Sequence, residues 1–141
     1  MKTTVCTVLG LVGGAIASAF GGWSSGLLTL IIFMGLDYVS GLLVAGVFHK
    51  SPKSDGGALE SGAGWKGLVR KCMTLLMVLI GARLDLLLEL SFIRDAVIIA
   101  FIINELLSLI ENAGLMGIPI PKVLERAIEL LKEKDEGGAE A

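Results

Sequence analysis

Two long apolar runs near the start of the chain, separated by a tight turn, decide most of what this sequence can fold into. Val5 to Gly22 is apolar or small throughout and uncharged, and Leu27 to Phe48 carries Asp37 as its only charge. A membrane-crossing helix needs roughly 20 mostly apolar residues, because the hydrocarbon is about 30 Å thick and a helix rises about 1.5 Å per residue. Both runs reach that length, and Trp23, Ser24, Ser25 and Gly26 leave room only for a short uncharged turn between them. Two further runs follow. Cys72 to Leu90 holds Arg83, Asp85 and Glu89 in its later half, and Ile93 to Ala113 holds Arg94, Asp95, Asn104, Glu105, Glu111 and Asn112.

The expected fold is therefore all-α: an integral membrane bundle of about four transmembrane helices over residues 1–113, with spans near 5–22, 27–48, 72–90 and 93–113. Composition agrees. The chain is 54% hydrophobic and 18% charged, against about 45–50% and about 25% for a soluble domain. Twelve Lys and Arg stand against 14 Asp and Glu, so no net basic charge is available for nucleic-acid binding. Cys6 and Cys72 make no disulfide framework. With His49 as the single histidine, no His/Cys metal cluster forms either, and no cofactor is expected.

Residues 49–71 form the one long connection, punctuated by Pro52, Gly56, Gly57, Ser61, Gly62 and Gly64. This loop holds Lys50, Lys53, Lys66, Arg70 and Lys71, and the tail holds Lys122, Arg126, Lys132 and Lys134. Bases mark the cytoplasmic side. Four spans then place both termini, the loop and the tail in the cytoplasm. The rival reading makes the first run a cleavable signal, with Lys2 before it and Ala17-Ser18-Ala19 as the cleavage site. Against it, Gly10, Gly14, Ser18 and Gly22 recur every four residues, the spacing of a close helix-association face in lipid. Such a face serves packing within one chain or between copies.

Polar residues inside the runs are the functional candidates. Asp37 lies near mid-span, where an ionised Asp costs roughly 2.5–3.5 kcal/mol. Arg83 and Asp85 point to opposite sides of the third helix. Asn104, Glu105, Ser108, Glu111 and Asn112 fall within an arc of about 120° on the fourth, at about 100° per residue. The bland reading is a buried polar face satisfied by Arg83, Asp37 and interhelical hydrogen bonds. The functional reading is a stripe that faces water once copies assemble.

Enzymatic signals fail. Ser61 to Gly67 lacks the Gly-Lys-Ser/Thr ending of a phosphate loop, and no nucleophile has a base. The tail, residues 114–141, starts with the breakers Gly114, Gly117, Pro119 and Pro121. An amphipathic cytoplasmic helix follows over 122–134, with Val123, Leu124, Ala127, Ile128 and Leu131 on one face. Its polar side is more acidic than basic, unlike surface-lying membrane helices, so a protein helix is the better partner, including one from a second copy. Asp135 to Ala141 reads as a frayed end.

One set of residues is more specific. Asp37-Tyr38 and Gly41, then Ser61, Gly64, Gly67 and Lys71, then Asn104-Glu105, Ser108, Glu111-Asn112, Gly114, Gly117, Pro119 and Pro121 follow in order. Together they resemble the toxin secretion/phage lysis holin family, from the second span to about Leu131. The resemblance implies a homo-oligomer in the bacterial cytoplasmic membrane whose lesions let a muralytic endolysin, or a toxin, leave the cytoplasm. The endolysin is then a functional partner without direct contact. The competing functions are a small ion channel or transporter built on Asp37, Arg83 and Glu105, and a non-conducting scaffold or antiholin.

Overall fold

The computed structural model describes residues 1–139 and contains five helices. They are α1 (Lys2–Ala19), α2 (Ser25–Gly46), α3 (Ser61–Leu88), α4 (Ile93–Leu115) and α5 (Lys122–Ala139). The all-α bundle is as expected. By length and composition, however, only α1 and α2 among the described residues are apolar enough to cross a membrane. The expectation of four such helices is corrected to two on this criterion. Lys66, Arg70, Lys71, Arg83 and Asp85 set α3 apart, and Arg94, Asp95, Glu105 and Glu111 set α4 apart.

Local chemistry fixes the boundaries. α1 stops where Gly21 and Gly22 turn to positive φ, +80° and +92°, and their N–H groups bond back to Ser18 and Ala17 carbonyls. Glycine enters that region without a Cβ clash. Gly22 thus lies in the turn rather than on α1 with Gly10, Gly14 and Ser18. Ser24 caps α2, its Oγ accepting from Leu27 N at 3.1 Å. α3 begins at Ser61, well before Cys72, so the loop is shorter than the glycine content suggested. At the other end, Gly117 (φ +80°) with Pro119 and Pro121 reverses the chain after α4. α5 continues past Lys134 to Ala139, and the expected frayed end is helical over that stretch.

α4 is the hub, packing against α2, α3 and α5, while α1 touches only α3 among the helices. α2 and α4 run parallel: Gly26 lies beside Ile98, Asp37 beside Ser108, and Gly41 beside Asn112. α3 runs the other way, with Lys71 at Glu105 and Gly81 at Arg94. The apolar core, Leu27, Leu30, Met34, Val78, Ile98 and Ile102, fills the layer around the first halves of α2 and α4. Toward the ends of those two helices the interior becomes polar.

Candidate functional site: a lysine held between two carboxylates

The polar layer is built by helix spacing. On α4, Glu105, Ser108 and Asn112 are three and four residues apart and so share a stripe. That stripe faces α2 at Asp37, which is 5% exposed; Glu105 and Asn112 are each 6% exposed. Lys71 enters from α3. Its Nζ donates to Asp37 Oδ2 and to Glu105 Oε2, both at 2.7 Å. Asp37 Oδ1 accepts from Ser108 Oγ at 2.6 Å and from Asn112 Nδ2 at 3.1 Å. Asn112 Nδ2 also donates to Ser40 Oγ at 2.8 Å, and Ser40 Oγ donates to the Asp37 carbonyl at 3.0 Å. Among the described residues, every buried side-chain N or O atom has a partner. Two carboxylates and one ammonium leave the cluster formally at −1.

α3 lies close to both neighbours: a Cβ on Gly81 would sit 3.2 Å from the Arg94 Cα of α4. A Cβ on Gly64 would sit 3.4 Å from the Tyr38 hydroxyl, so the start of α3 lies directly on α2. From the loop side, a cleft of about 230 Å³ leads down to the cluster. Lys53, Ser54 and Glu60 line its mouth, and Asp37, Lys71 and Glu105 line its floor.

The polar arc expected on α4 is divided. Glu105, Ser108 and Asn112 join the cluster; Asn104 is exposed and lines the cleft; Glu111 is exposed and stands apart from the bonds. Arg83 is exposed and makes no ion pair among the described residues. The positive charge at Asp37 therefore comes from Lys71. In sequence Lys71 stands among the loop bases and in the family pattern, but not as a partner of Asp37, because the third apolar run starts one residue after it.

Asp85 does different work. Its Oδ1 accepts from Ile93 N at 2.9 Å and its Oδ2 from Arg94 N at 3.0 Å. These are first-turn donors with no partner inside α4, and a carboxylate there also favours the helix dipole. Arg94 Nη1 in turn donates to the Phe20 and Gly22 carbonyls at 2.7 and 2.8 Å, tying α4 to the end of α1. Arg94 was not singled out by sequence. The glycines Gly10 and Gly14 face open space, and no residue of α1 is buried. Among the described residues no group of His, Cys, Asp and Glu could hold a metal ion.

Comparison with known proteins bears on these features. Residues 14–133 match the model of the bacteriophage holin family. An uncharacterized protein of Halalkalibacterium halodurans is 36% identical over 128 residues, covering 86% of this chain and 89% of its own. An uncharacterized 14.9 kDa protein of Clostridium perfringens, from the region 3′ of nagH, is 34% identical over 117 residues, covering 82% and 83%. A probable holin of Bacillus phage phi105 is 25% identical over 108 residues, covering 76% and 74%. No solved structure matches the chain. The matched stretch runs from α1 into α5 and takes in the whole Asp37–Lys71–Glu105 cluster, and its family consists of non-catalytic membrane permeabilisers. The chain belongs to the bacteriophage holin family.

Proposed function

We propose that the chain inserts into the bacterial cytoplasmic membrane through α1 to α4, with both termini and the 47–60 loop in the cytoplasm. Copies then assemble and permeabilise the bilayer, releasing a muralytic endolysin or a toxin. The observation that carries this reading is the lysine shared by two carboxylates between three helices. Counted singly, Asp37, Lys71 and Glu105 each oppose insertion of their helices. Paired at 2.7 Å, with Asp37 Oδ1 bonded by Ser108 and Asn112, they can enter hydrocarbon together, which a residue-by-residue composition of α3 and α4 does not register. The parallel α2 and α4 with an opposed α3 are the directions that three successive crossings require.

The cluster also gives assembly something to use. Asp37 lies nine residues before the end of α2, about 14 Å at 1.5 Å per residue, and the cleft reaches it from the loop side. A lesion forms when assembly of copies extends that polar path, with Asn104 at its wall, across the other half. The small face of α1, Gly10, Gly14 and Ser18, supplies a close contact between copies.

The test is induced expression in bacteria containing a cytoplasmic muralytic enzyme, following membrane potential and enzyme release together. Abrupt depolarisation with enzyme release is expected. Depolarisation that releases only ions would favour a small channel. No change in either, with the protein in the membrane fraction, would favour the scaffold or antiholin reading.

A further inference from the structure

The position of α5 conflicts with a membrane crossing by α4. After the reversal at Gly117 to Pro121, α5 runs back along α4, the only helix it touches. Ile128 is buried at 6% exposure, and Leu131 packs against the apolar core whose α4 members are Ile98 and Ile102. α5 therefore reaches back along α4 to the apolar core. Its other side is charged and exposed: Glu125, Arg126, Glu129, Lys132 and Glu133.

If α4 spanned a bilayer with α5 still in place, Glu129, Lys132 and Glu133 would lie deep in hydrocarbon. Those side chains have no ion pair among the described residues, unlike Lys71. Unpaired exposed charges are what a bilayer excludes most strongly. The α4–α5 hairpin and a crossing α4 are therefore alternative states of the same segment.

We propose that α5 is a releasable clasp: it shields the apolar side of α4 in the compact bundle and leaves α4 when α4 crosses the membrane. The surface of α4 that α5 covered then meets lipid or a neighbouring helix, and α5 remains in the cytoplasm. This inference rests on the four-helix insertion proposed above and adds its regulation. Release of α5 becomes a step that precedes permeabilisation, and the strength of the α4–α5 contact sets how readily it occurs.

The experiment joins the two helices chemically. In a Cys6→Ser, Cys72→Ser background, Ile102→Cys and Leu131→Cys place one thiol on each helix, and a short bis-maleimide links them. The chain is made by cell-free synthesis with or without phosphatidylglycerol-containing vesicles, and inserted protein is collected as the carbonate-resistant fraction. Cross-linking is expected without vesicles and is expected to be lost, down to the single-cysteine controls, in the inserted fraction. Equal cross-linking in inserted protein would overturn the clasp. Leakage of a dye from the same vesicles is read separately on unlinked chain. Absence of leakage there counts against permeabilisation, while the cross-link yield still decides the position of α5. Should the double-cysteine chain fail to fold, Ile128→Glu serves instead. It weakens the clasp in the full-length protein and is expected to shorten the lag before insertion, and an unchanged or longer lag would overturn the proposal.

Discussion

α1 and α4 are both long helices, yet they relate to the rest of the chain in opposite ways. α1 is apolar, uncharged beyond Lys2, and buries none of its residues. α4 carries four charged residues and lies at the centre of the packing, with Ile98, Ile102, Ile103, Glu105 and Asn112 buried. In a soluble protein the more apolar helix would take the centre. Here the apolar helix is left outside, where lipid or another copy can surround it, and polar groups organise the interior. Between helices in lipid, apolar surface gains little by being covered, so small-residue contacts and interhelical hydrogen bonds decide which helices associate. The comparison predicts that substitutions along the α2–α3–α4 contacts act on folding, whereas substitutions on α1 act on assembly.

The largest effect is expected at Lys71. Lys71→Met leaves Asp37 and Glu105 facing each other without their cation. Removing one partner of a buried pair destabilises by about 3–5 kcal/mol, measured by unfolding in detergent micelles. The triple variant Asp37→Asn, Lys71→Met, Glu105→Gln removes all three charges and should recover most of that loss. If the triple variant is as unstable as Lys71→Met, the loss comes from the missing Nζ hydrogen bonds rather than from uncompensated charge.

Next is Gly81. A Cβ there would lie 3.2 Å from the Arg94 Cα, a backbone atom that cannot turn aside. Gly81→Val should cost about 1–3 kcal/mol by forcing α3 and α4 apart, visible as a lower denaturation midpoint. Asp85→Ala should cost about 1 kcal/mol through loss of the α4 cap. Asp85→Asn should retain part of it, since an amide oxygen still accepts one of the two bonds. Equal losses for Ala and Asn would assign the effect to the charge at the helix terminus.

The same contrast explains what the sequence revealed and what it concealed. Asp37, Glu105, Ser108 and Asn112 were legible because a polar residue inside an apolar run needs a partner, and helix spacing aligned three of them. Lys71 belonged to the family pattern, but its pairing was hidden by its position. A base at the edge of an apolar run reads as a cytoplasmic anchor, and only the fold shows it turned inward between two carboxylates. The glycines before it were misleading for a related reason. Gly62 and Gly64 look like loop punctuation, yet they lie within α3, with Gly64 facing the Tyr38 hydroxyl. Arg83 drew attention as the one base inside the third run, but periodicity gives a face and not a partner, and its face is exposed. Of the apolar face expected on α5, Ile128 is buried and Ala127 and Leu131 are half-buried, while Val123 and Leu124 are exposed. That α5 closes on α4 of its own chain depends on the reversal at Gly117, which sequence marks as a turn without giving its direction.

The smallest effect on stability, and the sharpest test of the comparison, is at Gly14. Nothing lies within 4 Å of a Cβ placed there, so Gly14→Leu has no neighbour in its own chain to disturb. Its unfolding midpoint should match the parent within about 0.5 kcal/mol, as for other exposed substitutions, with a small gain from the higher helix propensity of Leu. The time from induction to depolarisation is the discriminating readout. A bulky side chain on a face used between copies would block close approach and delay or abolish the event while the monomer stays intact. Unchanged stability with unchanged timing would make α1 a lipid-facing anchor and leave assembly to the helices around the cluster. Lost stability would mean that α1 is held inside the bundle by contacts of its own, and the division between an organising interior and an associating exterior would fail.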